Sequence, residues 1–90
     1  MAQAIVKPED LRRFAADLGQ FNNGLKDSTS RLQAQFKRLA ETWRDQEHAR
    51  FASEFQQTMS VLRRFMQVSE QHIPFLLRKA EKAETYLQQR

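Results

Sequence analysis

Five leucines recur at seven-residue intervals: Leu11, Leu18, Leu25, Leu32 and Leu39. An apolar repeat of that length describes one long helix with one persistent seam. A second repeat begins soon after Thr42-Trp43-Arg44-Asp45. It runs through Phe55, Met59, Leu62, Met66, Ser69, Ile73, Leu76, Ala80, Ala83 and Leu87 in alternating steps of four and three. The chain therefore reads as an all-α, two-helix antiparallel hairpin with its elbow near Trp43. Residues 1–90 form a single domain, with helix 1 over about 8–42, the elbow at 43–45 and helix 2 over about 46–88.

Local signals agree with this division. Pro8 suits a first helical turn, and Glu9 and Asp10 complement the dipole there. Asp45 is a good N-cap for helix 2, with Glu47 in the turn that follows. Asn22-Asn23-Gly24 has the composition of a turn, and Ser30-Arg31-Leu32-Gln33 fits a capping box. A break at either place would shift the heptad phase, yet Leu18, Leu25 and Leu32 keep it, so helix 1 is expected to run through. Ser28 is a weak spot in that seam. Pro74 removes one hydrogen bond inside helix 2, and a kink is expected near it rather than a stop.

Helix 2 is apolar over more than one seam, because Val61, Phe65, Val68 and Phe75 form a second row beside the first. Phe14, Phe21 and Phe36 flank the seam of helix 1. One hairpin cannot cover all of these, and an uncovered patch of this kind marks an interface. Two hairpins pairing into a four-helix bundle would cover it. The expected dimer interface comprises Phe14, Leu18, Phe21, Leu25, Leu62, Phe65 and Met66. The partner is the chain itself or a paralogous hairpin, with the homodimer favoured.

The composition excludes several other classes. Cysteine is absent, which rules out disulfides and thiolate metal sites. No apolar run approaches the roughly 18 residues of a membrane span. The N-terminus lacks the charged start of a cleaved secretory signal, so the protein is expected to be cytoplasmic when made, and any export to need no cleaved leader. His48 and His72 fit no metal-ligand spacing; His48 is expected to be solvated, and His72 to be half-buried at an interface. A hairpin offers no concave site, so no enzyme, cofactor or metal is implied. The net charge of +4 divides evenly, +2 in residues 1–45 and +2 in residues 46–90. Dispersed charge of mixed sign reads as solvated helix surface rather than a nucleic-acid footprint. Trp43 at the bend is expected to wedge the helices and close the bundle tip.

The opening Val6-Lys7-Pro8-Glu9-Asp10-Leu11-Arg12, the central Trp43 and Phe51 eight residues later together resemble the WXG family. These are roughly hundred-residue helical hairpins of type VII (ESX) secretion systems, typified by the early secreted antigenic target of mycobacteria. The likeness spans essentially the whole chain. It implies a secreted factor, or the escort of a larger effector, acting by protein–protein contact and engaging a secretion ATPase or an effector. It also implies a recognition role for the elbow residues Trp43, Asp45 and Phe51. Two positions depart from the family pattern. The glycine of Trp-X-Gly is Asp45 here, and the acidic residue expected four positions after Tyr86 is Arg90, leaving Tyr86 as the remnant of a C-terminal signal. Without the secretion system, the same residues would make a cytosolic helical adaptor that grips a protein partner through its apolar groove.

Overall fold

The computed structural model describes residues 6–89. Two helices account for nearly all of them, α1 over Pro8–Leu39 and α2 over Gln46–Gln88. They lie antiparallel, giving a rod of 68 × 25 × 15 Å with a radius of gyration of 20.2 Å. A compact chain of this length would have a radius near 12 Å. Pro8 stands at the start of α1, followed by Glu9 and Asp10, and Lys37 and Arg38 occupy the last turn. Both ends of α1 thus carry the charges its dipole favours.

Helix 1 ends at Leu39, short of the position near 42 that the sequence indicates. The backbone bonding explains the difference. Glu41 and Thr42 donate to carbonyls three residues back, at Arg38 and Leu39, while Trp43 donates to Leu39. The final turn tightens into short-range bonds that satisfy the carbonyls left over at a helix end. The elbow consequently spans residues 40–45. Asp45 caps α2: its carboxylate accepts from the His48 backbone N–H at 3.0 Å. Helix α2 then continues without a break through Pro74, and α1 through Asn22-Asn23-Gly24.

The centre of the hairpin seam is not the leucine row. On α1 it is the row one turn earlier, where Pro8, Ala15 and Asn22 are buried and Thr29 and Phe36 are half-buried. Leu11, Leu18 and Leu25 flank it half-buried, and Leu32 and Leu39 are exposed. On α2 the seam is the repeat read from the sequence, with Met59, Ser69 and Ala80 buried. Small side chains at the centre let the helices approach closely. The leucines are thereby displaced toward one face of the hairpin.

Two polar contacts cross the seam. Ser69 Oγ lies 2.9 Å from Asn22 Oδ1 and 3.2 Å from the Met66 carbonyl. The hydroxyl has one proton and two acceptors, while Asn22 Nδ2 is buried without a partner. Turning the amide over would let Nδ2 donate to Ser69 Oγ while Ser69 donates to Met66, using both donors. Near the open end, Arg12 grips Glu84 with two hydrogen bonds of 2.8 and 3.3 Å. These hydrogen bonds first, and the Arg12 charge second, hold the Glu84 carboxyl below its ordinary range, and the same contact raises the Arg12 guanidinium.

Ser69→Ala should lower stability by about 1 kcal/mol, because Asn22 is then buried with no partner across the seam. Adding Asn22→Leu should recover that loss or exceed it, which urea titration of the three chains would measure. The Arg12–Glu84 contribution has a defined sign. A carboxylate depressed by folding adds stability above its unfolded pKa, about 4.3 for Glu, and that stability is lost as pH falls through the folded value. Thermal melts should show Glu84→Gln weaker than wild type at pH 7, with the difference shrinking as pH falls below about 4.3 and vanishing only below the lowered folded value.

Candidate interaction surface: an aromatic elbow and an open groove

At the elbow, five rings close the end of the hairpin. Phe36 of α1 lies against Phe55 at 4.7 Å between centroids and stacks on His48 at 5.6 Å, the latter planes being 10° apart. Phe51 contacts both Phe36 and Phe55 at 5.9 Å. Trp43 covers this group, 5.2 Å from His48 edge-on and 5.7 Å from Phe51. Local sequence produces the arrangement: His48, Phe51 and Phe55 recur in steps of three and four on the first turns of α2. The Asp45 cap sets where those turns begin.

His48 is therefore not the solvated residue expected from sequence. It is half-buried between rings, and its Nε2 is enclosed with no hydrogen-bond partner. Phe36 likewise belongs to this cap and not to the exposed flank. The signal was present in the sequence, since Phe36 precedes Trp43 by one heptad and His48, Phe51 and Phe55 share one face. Trp43 is half-buried, and Phe51 is 41% exposed. Of the elbow residues, Asp45 caps, Trp43 covers, and Phe51 both packs and shows a face to solvent.

The second feature lies along one side of the rod, toward the open end. Phe14, Leu18, Phe65, Ser69, His72, Phe75 and Leu76 line an open apolar groove between the helices. Phe21 meets Phe65 edge-on at 6.0 Å and continues the same wall. Phe14 and Phe75 are each 58% exposed, Phe21 is 56% exposed and Val61 is 67% exposed. The structure sorts the seven expected interface residues into two sets. Phe14, Phe21 and Phe65 stand exposed on this face, whereas Leu18, Leu25, Leu62 and Met66 are half-buried between the helices. His72, expected to be half-buried, is exposed in the single hairpin at the rim of the groove. Tyr86 is exposed on α2 beyond it, and Arg90 lies outside the described residues.

The uncovered area is large. The chain exposes 7631 Å², against about 5500 Å² expected for a folded monomer of its mass. The excess, roughly 2100 Å² on one chain, corresponds to about 4200 Å² over a pair, within the range that obligate dimers bury. Among the described residues, the apolar core consists of Ala15, Met59 and Ala80. Among the described residues, no group of three or more potential ligands is placed to hold a metal, and no helix is long and apolar enough to cross a membrane.

Residues 3–86 match the family model of WXG100, proteins of 100 residues with WXG, and the chain belongs to that family. Membership places it among small helical hairpins that are not enzymes. Among solved structures it is similar to EsxB, described as a secreted protein of Bacillus anthracis strain Sterne. The wild-type EsxB structure is 26% identical with a TM-score of 0.76, covering 91% of this chain and 88% of that one. A single-residue mutant of EsxB is 25% identical with a TM-score of 0.75, covering 94% of this chain and 98% of that one. No curated protein matches.

Trp43→Ala should reduce stability by about 2 kcal/mol, less than the 3–5 typical of a fully buried aromatic because the indole is half-buried. Trp43→Phe should restore most of it. Unfolding curves for the three chains would test this, and an unchanged Trp43→Ala curve would remove the indole from the structural cap.

Proposed function

We propose that this chain is a secreted helical protein of ESX (type VII) type that acts by protein–protein contact. It serves as a factor in its own right or as the escort of a larger effector, and it pairs with a second hairpin through the groove. The observation that carries this reading is an uncovered apolar face on a hairpin whose family match spans residues 3–86. A single hairpin whose described residues bury few apolar side chains, chiefly Ala15, Met59 and Ala80, gains much of its stability from whatever covers that face. The likeness to EsxB, a secreted protein, supports export. In this reading Phe14, Phe21 and Phe65 supply the exposed contact, and Leu18, Leu25, Leu62 and Met66 complete it from the groove floor. The elbow surface at Trp43 and Phe51 and the exposed Tyr86 are then available to the secretion machinery or to an effector.

The purified chain should sediment near twice its 10.7 kDa at micromolar concentration. Burying a few large apolar side chains, at roughly 1.5–3 kcal/mol each, outweighs association costs in that range. Phe65→Asp should shift it to monomer with loss of helicity. In its host, the chain should accumulate in the culture medium and remain inside cells when the secretion ATPase is deleted. A folded wild-type monomer would defeat the pairing. A chain retained in cells with an intact system would instead indicate a cytosolic adaptor.

A further inference from the structure

The groove occupies one side of the rod, and a second, polar cleft occupies the other. On α1 the groove residues Phe14 and Leu18 stand one before and three after Ala15 of the central row. Ser30 and Gln33 stand one and four after Thr29 of that row, which turns them to the opposite side. There, with Thr29, Met59 and Arg63, they line a cleft of about 210 Å³ between the helices. Buried Met59, 3% exposed, belongs to its apolar wall.

Near the open end this same side is closed by the Arg12–Glu84 ion pair, which matches a cation with an acid across the seam. At the cleft the match is missing. Arg63 faces Ser30 and Gln33, and among the described residues it forms no ion pair. Thr29 spends its hydroxyl proton on the Lys26 carbonyl at 3.0 Å. The donors left to the cleft are therefore the Arg63 guanidinium, the Ser30 hydroxyl and the Gln33 amide. Lys26 and Lys37, both exposed, stand one helical turn beyond Ser30 and Gln33 and carry the positive field along the rod. The acids on neighbouring turns are Asp27, on the row farther from the seam, and Glu70, two turns along α2 from Arg63.

We propose that this cleft receives a carboxylate side chain from an acidic segment of a partner protein. Its volume is below the 300–1,000 Å³ usual for small-molecule sites, so it fits the end of one side chain rather than a cofactor. A guanidinium holds a carboxylate through two parallel hydrogen bonds, and the hydroxyl and amide add further donors. The flanking lysines favour more acids on the same segment. An exposed ion pair alone is weak, so the cleft sets which segment docks, and in what register, more than how tightly. It lies away from the groove and stays open whether or not the groove is covered, so the inference does not rest on that pairing.

Backbone amide resonances of the isotope-labelled chain provide the test. A blocked Gly-Glu-Gly-Glu-Gly peptide at about 5 mM would fill most sites even at a Kd of about 1 mM. It should shift the amides of Ser30, Gln33 and Arg63 saturably, and its Gln counterpart should not. Arg63→Gln should weaken the peptide roughly tenfold. Arg64→Gln removes the same charge one residue away, on the outer face of α2, and should leave binding within about twofold. Both positions are exposed, so both variants should keep wild-type helicity. Unmoved amides, an equal loss in the two variants, or the same shifts from the Gln peptide would overturn the cleft. Inorganic phosphate giving the same shifts at equal concentration would reduce it to an adventitious ion only. The sedimentation result for the groove bears on none of these outcomes.

Discussion

The register between the two helices is fixed at the elbow, and every other contact inherits it. Asp45 starts α2 by capping the His48 N–H, and that start places His48, Phe51 and Phe55 where Phe36 and Trp43 can pack on them. Once Phe36 is level with Phe55, the antiparallel geometry brings Asn22 to Ser69 and Arg12 to Glu84. A slip of one residue at the bend would carry each of these pairs out of reach. An Asp side chain at this point caps at least as well as a glycine would.

Two helices share only one seam, and here that seam is narrow. Ala15, Asn22, Ser69 and Ala80 at its centre are small or polar, so it brings the backbones close without burying much apolar area. The larger side chains are turned toward one face. Leu32, Leu39, Phe14, Phe21, Phe65 and Phe75 all remain exposed in the single hairpin. The leucine row, on the flank of each hairpin, would lie near the axis of a four-helix bundle.

Most of the architecture was legible in the sequence, because a heptad pattern states both the number of helices and which side is apolar. The hairpin, the Asp45 cap and the passage of α1 through Asn22-Asn23-Gly24 all followed from keeping phase. Three things did not follow. The seam centre on α1 moved from the leucines to the Pro8–Ala15–Asn22 row, because apolarity marks an arc about three rows wide and does not say which row meets which partner. Asn22 looked like a turn residue, since its use as a buried partner for Ser69 depends on a residue far along the chain. His48 looked solvated because a lone histidine after a bend carries no local sign of the rings it stacks between.

The scarcity of buried side chains ties secondary structure to protein concentration. In an ordinary domain the helices survive dilution, because the core that supports them lies within one chain. Here the buried apolar residues among those described, chiefly Ala15, Met59 and Ala80, give each long helix little to lean on. Covering the groove then adds a term to stability that grows with the logarithm of the partner's concentration. With the pairing proposed above, folding and recognition become a single equilibrium, and an unaccompanied chain is the form most open to proteases.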